Sequence, residues 1–578
     1  MAGRDDHPQV RIAIIAFALF LGFLVLMVQL VRWAVVQPSP LGRGSEPHEQ
    51  ALVAAGRGEQ RGMIVDRFGE PLAFDTFRWE IWVEPRLVHD EEIEELADKL
   101  VETMGPALEM DRAELVTILA QQGAGTFTLT REAPEMVGED ITAWHRLDVG
   151  TRPIPTRYYP QGSMAAHVLG FVNGEPRAYY GVEEEYDSFL TSLETSFFRS
   201  DPGVQAAYSD LPDRWQRYLP SPVGQDLVLT IDRRMQYEVE RTLGEAIGTY
   251  NAVSGTIIVM DPETGEIKAM ASLPSYDPNH FGRATNTVLA NPAITSQYEP
   301  GSIFKIITIA SGIDAGIITP DSVLTDIQKL EVGGRTIMNS DRMSHGEVSI
   351  WTVLSKSLNV PTAKVALELG ESRFYQYVRR FGFGQLTEVD LANEIAGTVK
   401  VPGDTLWSES DLATNAFGQG LAATPLQMAT AAAAIANDGV LVQPHIVDSM
   451  VFQGRVMRPS EGSEQRVIKA DSAKAMIDLM VNVVEEGVPL AAVPGYTVAG
   501  KTGTAQVAIE GGYHPTATVH SFVGFAPAYD PEFVVLVKLD RPTTNPWSMQ
   551  TAAPTFSRVV KKLLHMAHVP PEQVANKP

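Results

Sequence analysis

Residues 12–31 read IAIIAFALFLGFLVLMVQLV, twenty positions of which only Gln29 is polar. A helix of about 20 apolar residues has the length that crosses a bilayer. A cleaved signal peptide would carry a shorter apolar stretch and a small-residue cleavage site. Neither is present, so the run is expected to be an uncleaved anchor. Arg4 and Arg11 precede it and Arg32 follows it, while Asp5 and Asp6 count for little in orientation, so the charges lean towards a cytoplasmic N-terminus. No later stretch has the same character. Everything after about residue 35 is therefore expected on one side of the membrane.

The chain has 578 residues, room for three or four domains at about 150 residues each. Asp plus Glu number 71 against 46 for Lys plus Arg, a net charge of −25 that argues against a nucleic-acid partner. There is no cysteine, which removes disulfides, Cys-ligated zinc and thiol nucleophiles. The twelve histidines form no HExxH or similar cluster, so neither a metal nor another cofactor is expected.

Residues 36–60 are rich in Gly, Pro and charge and read as a juxtamembrane linker. RGMIVDRFGEPLAFD predicts a hairpin turning at RFGE, and DEEIEELADKLVETMG and DRAELVTILAQQG have helical periodicity. Around RPIPTRYYPQGSMAAHVLGFVN the pattern is of short strands and turns, and residues 191–225 form a connecting segment. DLVLTIDRRMQYEVERTLGEAI predicts a strand followed by a helix. GTIIVMDPETGEIKAMAS and SFVGFAPAYDPEFVVLVKLD are two hairpins far apart in the chain with helices between them. They predict an antiparallel sheet assembled from distant segments, hence an α+β domain.

EPGSIFKIITIASGIDAG sets Lys305 among Ile303, Phe304, Ile306, Ile307 and Ile309, so apolar residues occupy every face of the helix. Either Lys305 snorkels out of that helix, or it is a desolvated base one turn from the Ser302 hydroxyl. Ser302 and Lys305 are neighbours on one face, and Pro300-Gly301 mark a helix start where unpaired N–H groups favour an oxyanion. Ser357 and Asn359 form Ser-x-Asn at a loop-to-helix junction. Lys501, Thr502, Gly503 and Thr504 lie on a predicted strand, with Gly503 permitting close backbone approach by a ligand. Ser-x-x-Lys, Ser-x-Asn and Lys-Thr-Gly, in that order and at domain-scale spacing, point to serine acyl-enzyme chemistry. Gly418 and Gly420 read as turn glycines of a cleft wall, and His520 as a packed core histidine. EVDLAN, from Glu388, has one residue too many for a β-lactamase deacylating motif.

With RGMIVDRFGEPLA, RYYPQGSMAAHVLGFVN, GVEEEYDSFL, ITSQYEPGSIFK, NAFGQGLAATPLQMATAAAAIANDG and KTGTAQ followed by HSFVGFAP, nearly the whole chain resembles the class B penicillin-binding proteins, monofunctional peptidoglycan D,D-transpeptidases. The resemblance implies a cytoplasmic tail and anchor over 1–35 and a juxtamembrane linker with an elongated, non-catalytic pedestal over 36–225. Over 226–578 it implies a transpeptidase domain whose antiparallel sheet is flanked by helices. It implies Ser302 as nucleophile on a stem peptide ending in D-Ala-D-Ala, Lys305 as base with its pKa lowered by burial and by Lys501, and Ser357 as proton relay. Asn359 would hold the substrate amide, Thr502 and Thr504 the terminal carboxylate, with Gly503 between them, and the N–H groups of Ser302 and Thr504 would form the oxyanion hole. β-Lactams would be covalent inhibitors. The location would be the bacterial inner membrane with the catalytic domain outside, and the partner a membrane-embedded polymerase of the shape, elongation and division type. Surface residues of RGMIVDRFGEPLA and GVEEEYD would dock on that partner. Ser-x-Asn, SFVGFAPA and QTAAPTFSRVVKKLL favour a division role over elongation. The alternatives are a D,D-carboxypeptidase or β-lactamase, and a β-lactam sensor or polymerase activator.

Overall fold

Runs such as Thr-Ile-Ile-Val-Met and Phe-Val-Val-Leu-Val lack polar alternation, so the strands they form must be covered on both faces. The computed structural model describes residues 61–191 and 225–572, except 109, 122, 124, 175, 176, 453, 454, 460 and 461. The anchor at 12–31, the linker to residue 60 and nearly all of the connecting segment lie outside the described residues. Among the described residues no helix is long and apolar enough to cross a membrane.

Contacts group the chain into two units, one holding 78–154 and the other 61–77 with 155–578. Strands β1 (Ile64–Val65) and β2 (Pro71–Val83) are the expected hairpin. Asp66 Oδ1 accepts the N–H groups of Phe68 and Glu70, each at 2.8 Å, which closes the turn. The end of β2 enters the smaller unit with α1 (Ile93–Met104), α2 (Arg112–Leu119), β3 (Phe127–Ala133), α3 (Glu135–Thr142) and the first part of β4 (Val149–Tyr158). Helix α1 buries Ile93, Leu96, Ala97, Leu100 and Met104, a single stripe at helical spacing. Asp111 caps α2 by accepting from Glu114 N. With Trp79, Ile81, Leu115 and Leu129 these elements close a core of their own.

In the larger unit β5 (Gln225–Leu229) runs parallel to β1, Ile64 opposite Leu227. Arg61 Nε donates to Glu183 Oε2 at 2.6 Å, and Arg157 donates to Glu183 Oε1 at 2.7 Å and to Asp75 at 3.0 Å. Glu183 is fully buried. These ion pairs hold segments 61–77 and 155–191 together, and the pairing of β1 with β5 joins them to the chain that follows residue 225. Within RGMIVDRFGEPLA and GVEEEYD, Arg61, Asp66 and Glu183 are not surface residues. Their charges are buried and spent inside the unit.

Helix α4 (Arg233–Tyr250) begins at Asp232, whose carboxylate accepts from Arg234 N and Met235 N. There follow β6 (Ser254–Met260), β7 (Ile267–Leu273), α5 (Lys305–Asp314), α6 (Ile350–Ser355), α7 (Asn359–Arg380), α8 (Pro425–Ala436) and β8 (Val447–Phe452), which pairs with β5. The last elements are α9 (Ala470–Asn482), β9 (Ala499–Ile509), β10 (Gly512–Ala526), β11 (Phe533–Asp540) and α10 (Ala552–Met566). A five-stranded antiparallel sheet has the order β9-β10-β11-β6-β7, so the late hairpin pairs with the early one, Val534 opposite Met260. Helices α4 and α10 pack together and against this sheet, as do α8 and α9. Every residue of α8 is buried, as its alanine-rich sequence permits. Strand β9 is left as the sheet's edge, open to whatever lies beside it.

Candidate active site

What lies beside β9 is the turn that carries Ser302. Gly301, at φ +58°, bends the chain into a 3₁₀ turn, Gly301–Phe304, that runs into α5. Gly301 N donates to Gly418 O at 3.0 Å. Gly418 is at φ +76°, and a Cβ there would stand 2.3 Å from Gly301 O, so this turn glycine lets the chain pack against the serine's turn. A Cβ on Gly503 would stand 2.6 Å from Ser521 Oγ and 2.9 Å from Pro300 O. The close approach at Gly503 is therefore made by the serine's own turn, where the sequence suggested a ligand.

Lys305 is wholly buried, which excludes snorkelling. Its Nζ lies 2.5 Å from Ser357 O, 2.8 Å from Asn359 Oδ1, and 3.1 Å from both Ser302 Oγ and Ser357 Oγ. An ammonium has three N–H groups for these four oxygens. A neutral amine has two, which suit the two shortest contacts, and a lone pair left to face a serine hydroxyl. Burial favours that neutral form: it pushes the Lys305 pKa well below the usual lysine range, and the Lys501 charge pushes the same way.

Ser357 adopts the left-handed region at φ +57°, a costly conformation for a residue with a side chain. There it presents both its carbonyl and its hydroxyl to Lys305. Lys501 Nζ donates to the same hydroxyl at 3.1 Å and to Thr502 O at 3.1 Å. Burial pushes the Lys501 pKa down to about 7. Asn359, first residue of α7, accepts from Lys305 and donates from Nδ2 to Met338 O at 3.0 Å, so its amide also orients the lysine.

On β9, Gly503 O faces Ser521 of β10 whereas Thr502 O faces Lys501 Nζ. Backbone groups alternate sides along a strand, so the N–H of Thr504 shares the Thr502 side, towards the cleft. The Thr504 hydroxyl accepts from Ser548 N at 3.1 Å and donates to Ser548 Oγ at 2.9 Å. Ser548, with Glu299 and Tyr513, escaped the sequence reading; 44 residues separate Ser548 from Thr504 and no local pattern joins them. Glu299 accepts from Gly420 N at 3.0 Å and from the Tyr513 hydroxyl at 2.9 Å, tying the nucleophile's approach segment to β10.

Ser302, Ser357, Asn359, Thr502 and Thr504 line one cleft of about 770 Å³, with Lys305 and Lys501 buried against it. His520 is a core residue: its ring bonds the hydroxyls of Thr518 and Thr551, and burial lowers its pKa to about 4. Glu388 is exposed and does not line the cleft.

A model of the penicillin-binding protein transpeptidase domain matches residues 255–561, and one of the penicillin-binding protein dimerisation domain matches residues 58–194. Penicillin-binding protein PbpB of Mycolicibacterium smegmatis is 31% identical, covering 94% of this chain and 89% of that one. The peptidoglycan D,D-transpeptidase FtsI of Escherichia coli K12 is 30% identical over 97% and 92% of the two chains. Penicillin-binding protein 3 of Mycobacterium tuberculosis, solved in complex with aztreonam, superposes with a TM-score of 0.67 at 29% identity over 89% of this chain and 98% of that one.

Proposed function

Because this chain belongs to the class B penicillin-binding transpeptidases, we propose that Ser302 is the nucleophile that joins peptidoglycan stem peptides. Neutral Lys305 takes the Ser302 proton as Oγ attacks the peptide carbonyl of D-Ala-D-Ala. The oxyanion sits between the N–H groups of Ser302 and Thr504, a kind of stabilisation worth orders of magnitude in rate. Ser357, touched by both lysines, passes the proton to the leaving D-Ala nitrogen, while Thr502 and Thr504 hold its carboxylate and Lys501 supplies positive charge behind them. An amine of a second stem peptide then displaces Oγ from the acyl-enzyme, and the proton returns to Ser302. The observation that carries this reading is Lys305 Nζ placed between Ser302 and Ser357, buried and short of donors.

Among the described residues the cleft lining holds no Asp or Glu to activate water, which favours transfer to an amine over β-lactamase turnover. Residues 12–31 would anchor the enzyme in the inner membrane with the cleft outside, next to a polymerase of the shape, elongation and division type. Asn359, the strand Ser521–Ala526 and the C-terminal helix sequence support a role in division.

Labelling with a fluorescent penicillin tests the assignment. One adduct is expected, mapped by mass spectrometry to Ser302, persisting for many minutes and absent from Ser302→Ala. Undiminished labelling of that variant overturns the site, and turnover within seconds overturns the transpeptidase reading.

A further inference from the structure

The segment hydrogen-bonded to Asn359 through Met338 and Asn339 brings Arg335 and Arg342 to the lining, and Lys356 joins them beside Ser357. Among the described residues the lining contains no Asp or Glu, in a chain where acids outnumber Lys plus Arg by 71 to 46. Of the nearby acids, Glu299 lies within electrostatic reach of Arg335, while Asp341 and Glu331 have other partners. Asp341 accepts from His345 Nε2 at 2.8 Å and from Met343 N at 2.9 Å, and Glu331 accepts from the Thr336 hydroxyl at 2.7 Å. Arg335 and Tyr513 line the cleft together, and the Tyr513 hydroxyl is bonded to Glu299 at 2.9 Å. A planar guanidinium has five N–H donors that suit a carboxylate held by two bonds.

A cationic wall in an acidic molecule focuses anions into the cleft. The terminal carboxylate of D-Ala-D-Ala is already accommodated at Thr502 and Thr504, so this wall faces a different group. The volume, about 770 Å³, lies in the upper part of the range of roughly 300–1,000 Å³ for ligand clefts and admits more than two alanines. We propose that Arg335 and Arg342 bind a second carboxylate of the stem peptide, on a residue upstream of D-Ala-D-Ala, so that the enzyme selects stems in which this group is free and not amidated. The inference rests on the transpeptidase reading.

The test measures D-Ala release by the full chain in detergent, with a D-amino acid other than alanine in excess as the acceptor amine, from two synthetic stem peptides alike except that one upstream side-chain carboxylate is free or converted to its amide. The parent is expected to favour the free acid by about tenfold in kcat/KM, the effect of one charge-assisted bond, and less so at high salt. In Arg335→Gln/Arg342→Gln the ratio is expected near one, through a higher KM for the acid. Equal rates with the parent, or a preference that survives the double substitution, overturn the inference alone. Release from neither peptide overturns the transpeptidase reading and this inference with it.

Discussion

Lys305 shows what a single side chain does when the fold denies it water. Replacing its amine by an apolar chain of similar length removes a desolvation cost. Lys305→Met is therefore expected to lose penicillin acylation by about 10³-fold, in the range of a missing general base, with a Tm no lower than the parent's. A variant that acylates normally but melts early would make the lysine structural. The same burial sets a pH dependence. Both lysines bind their protons less tightly folded than unfolded, where the pKa is about 10.4. Between those limits the unfolded chain holds more protons, so stability rises with pH, from about 7 upward for Lys501. The slope per lysine is at most about 1.4 kcal/mol per pH unit. Urea unfolding between pH 7 and 9 should show a rise that is shallower in Lys305→Met; parallel curves would mean that Lys305 is not desolvated.

Strand β9 and the 3₁₀ turn Gly301–Phe304 must approach each other closely for Ser302 and the Thr504 N–H to share one substrate atom. Gly503 makes that approach possible, since a Cβ there would stand within 3.0 Å of Ser521 Oγ, Pro300 O and Ile303 Cγ2 at once. Gly503→Ala is expected to push the strand off the turn by several tenths of an ångström while leaving the hydrogen-bonded ladder with β10 intact. Misplacement on this scale costs catalysis far more than folding, about 100-fold in rate. Stopped-flow acylation beside a thermal melt measures both, and parental acylation would show that the spacing has no part in the chemistry.

The larger unit is assembled from two stretches of chain, 61–77 and 155–578. A fragment beginning at Asp226 would lose β1 from beside β5, and with it the buried Leu72, Ala73 and Tyr159 of the shared core. It would also expose a strand edge to other molecules. Such a fragment is expected to melt lower than a chain beginning at Arg61 and to aggregate on heating, as light scattering would show. Equal melting of the two would mean that the segments before Asp226 add nothing to the catalytic unit.

Which residues gather at the candidate site was legible in the sequence, because short motifs carry that information within a few positions. Ser302 and Lys305 must share a helix face at a spacing of three, and Lys501 to Thr504 must alternate along a strand. The hairpins at 61–75, 255–272 and 521–540 were equally readable, since a turn between two apolar runs is decided locally. Other features were set only when distant segments met. Ser548 completes the hydroxyl pair with Thr504 across 44 residues. β1 joins β5 across more than 160 residues, Ile64 to Leu227, and Arg335, Arg342 and Lys356 face the same cleft as Thr502. Each such meeting is the outcome of packing whole faces against one another, a sum over many weak contacts that no window of sequence contains. The sequence by itself therefore determined the residues of the candidate site and the elements that bear them. The tertiary structure decided that Lys305 is dry, that Gly503 is crowded by the nucleophile's own turn, and that the charges of Arg61 and Glu183 are buried inside the unit.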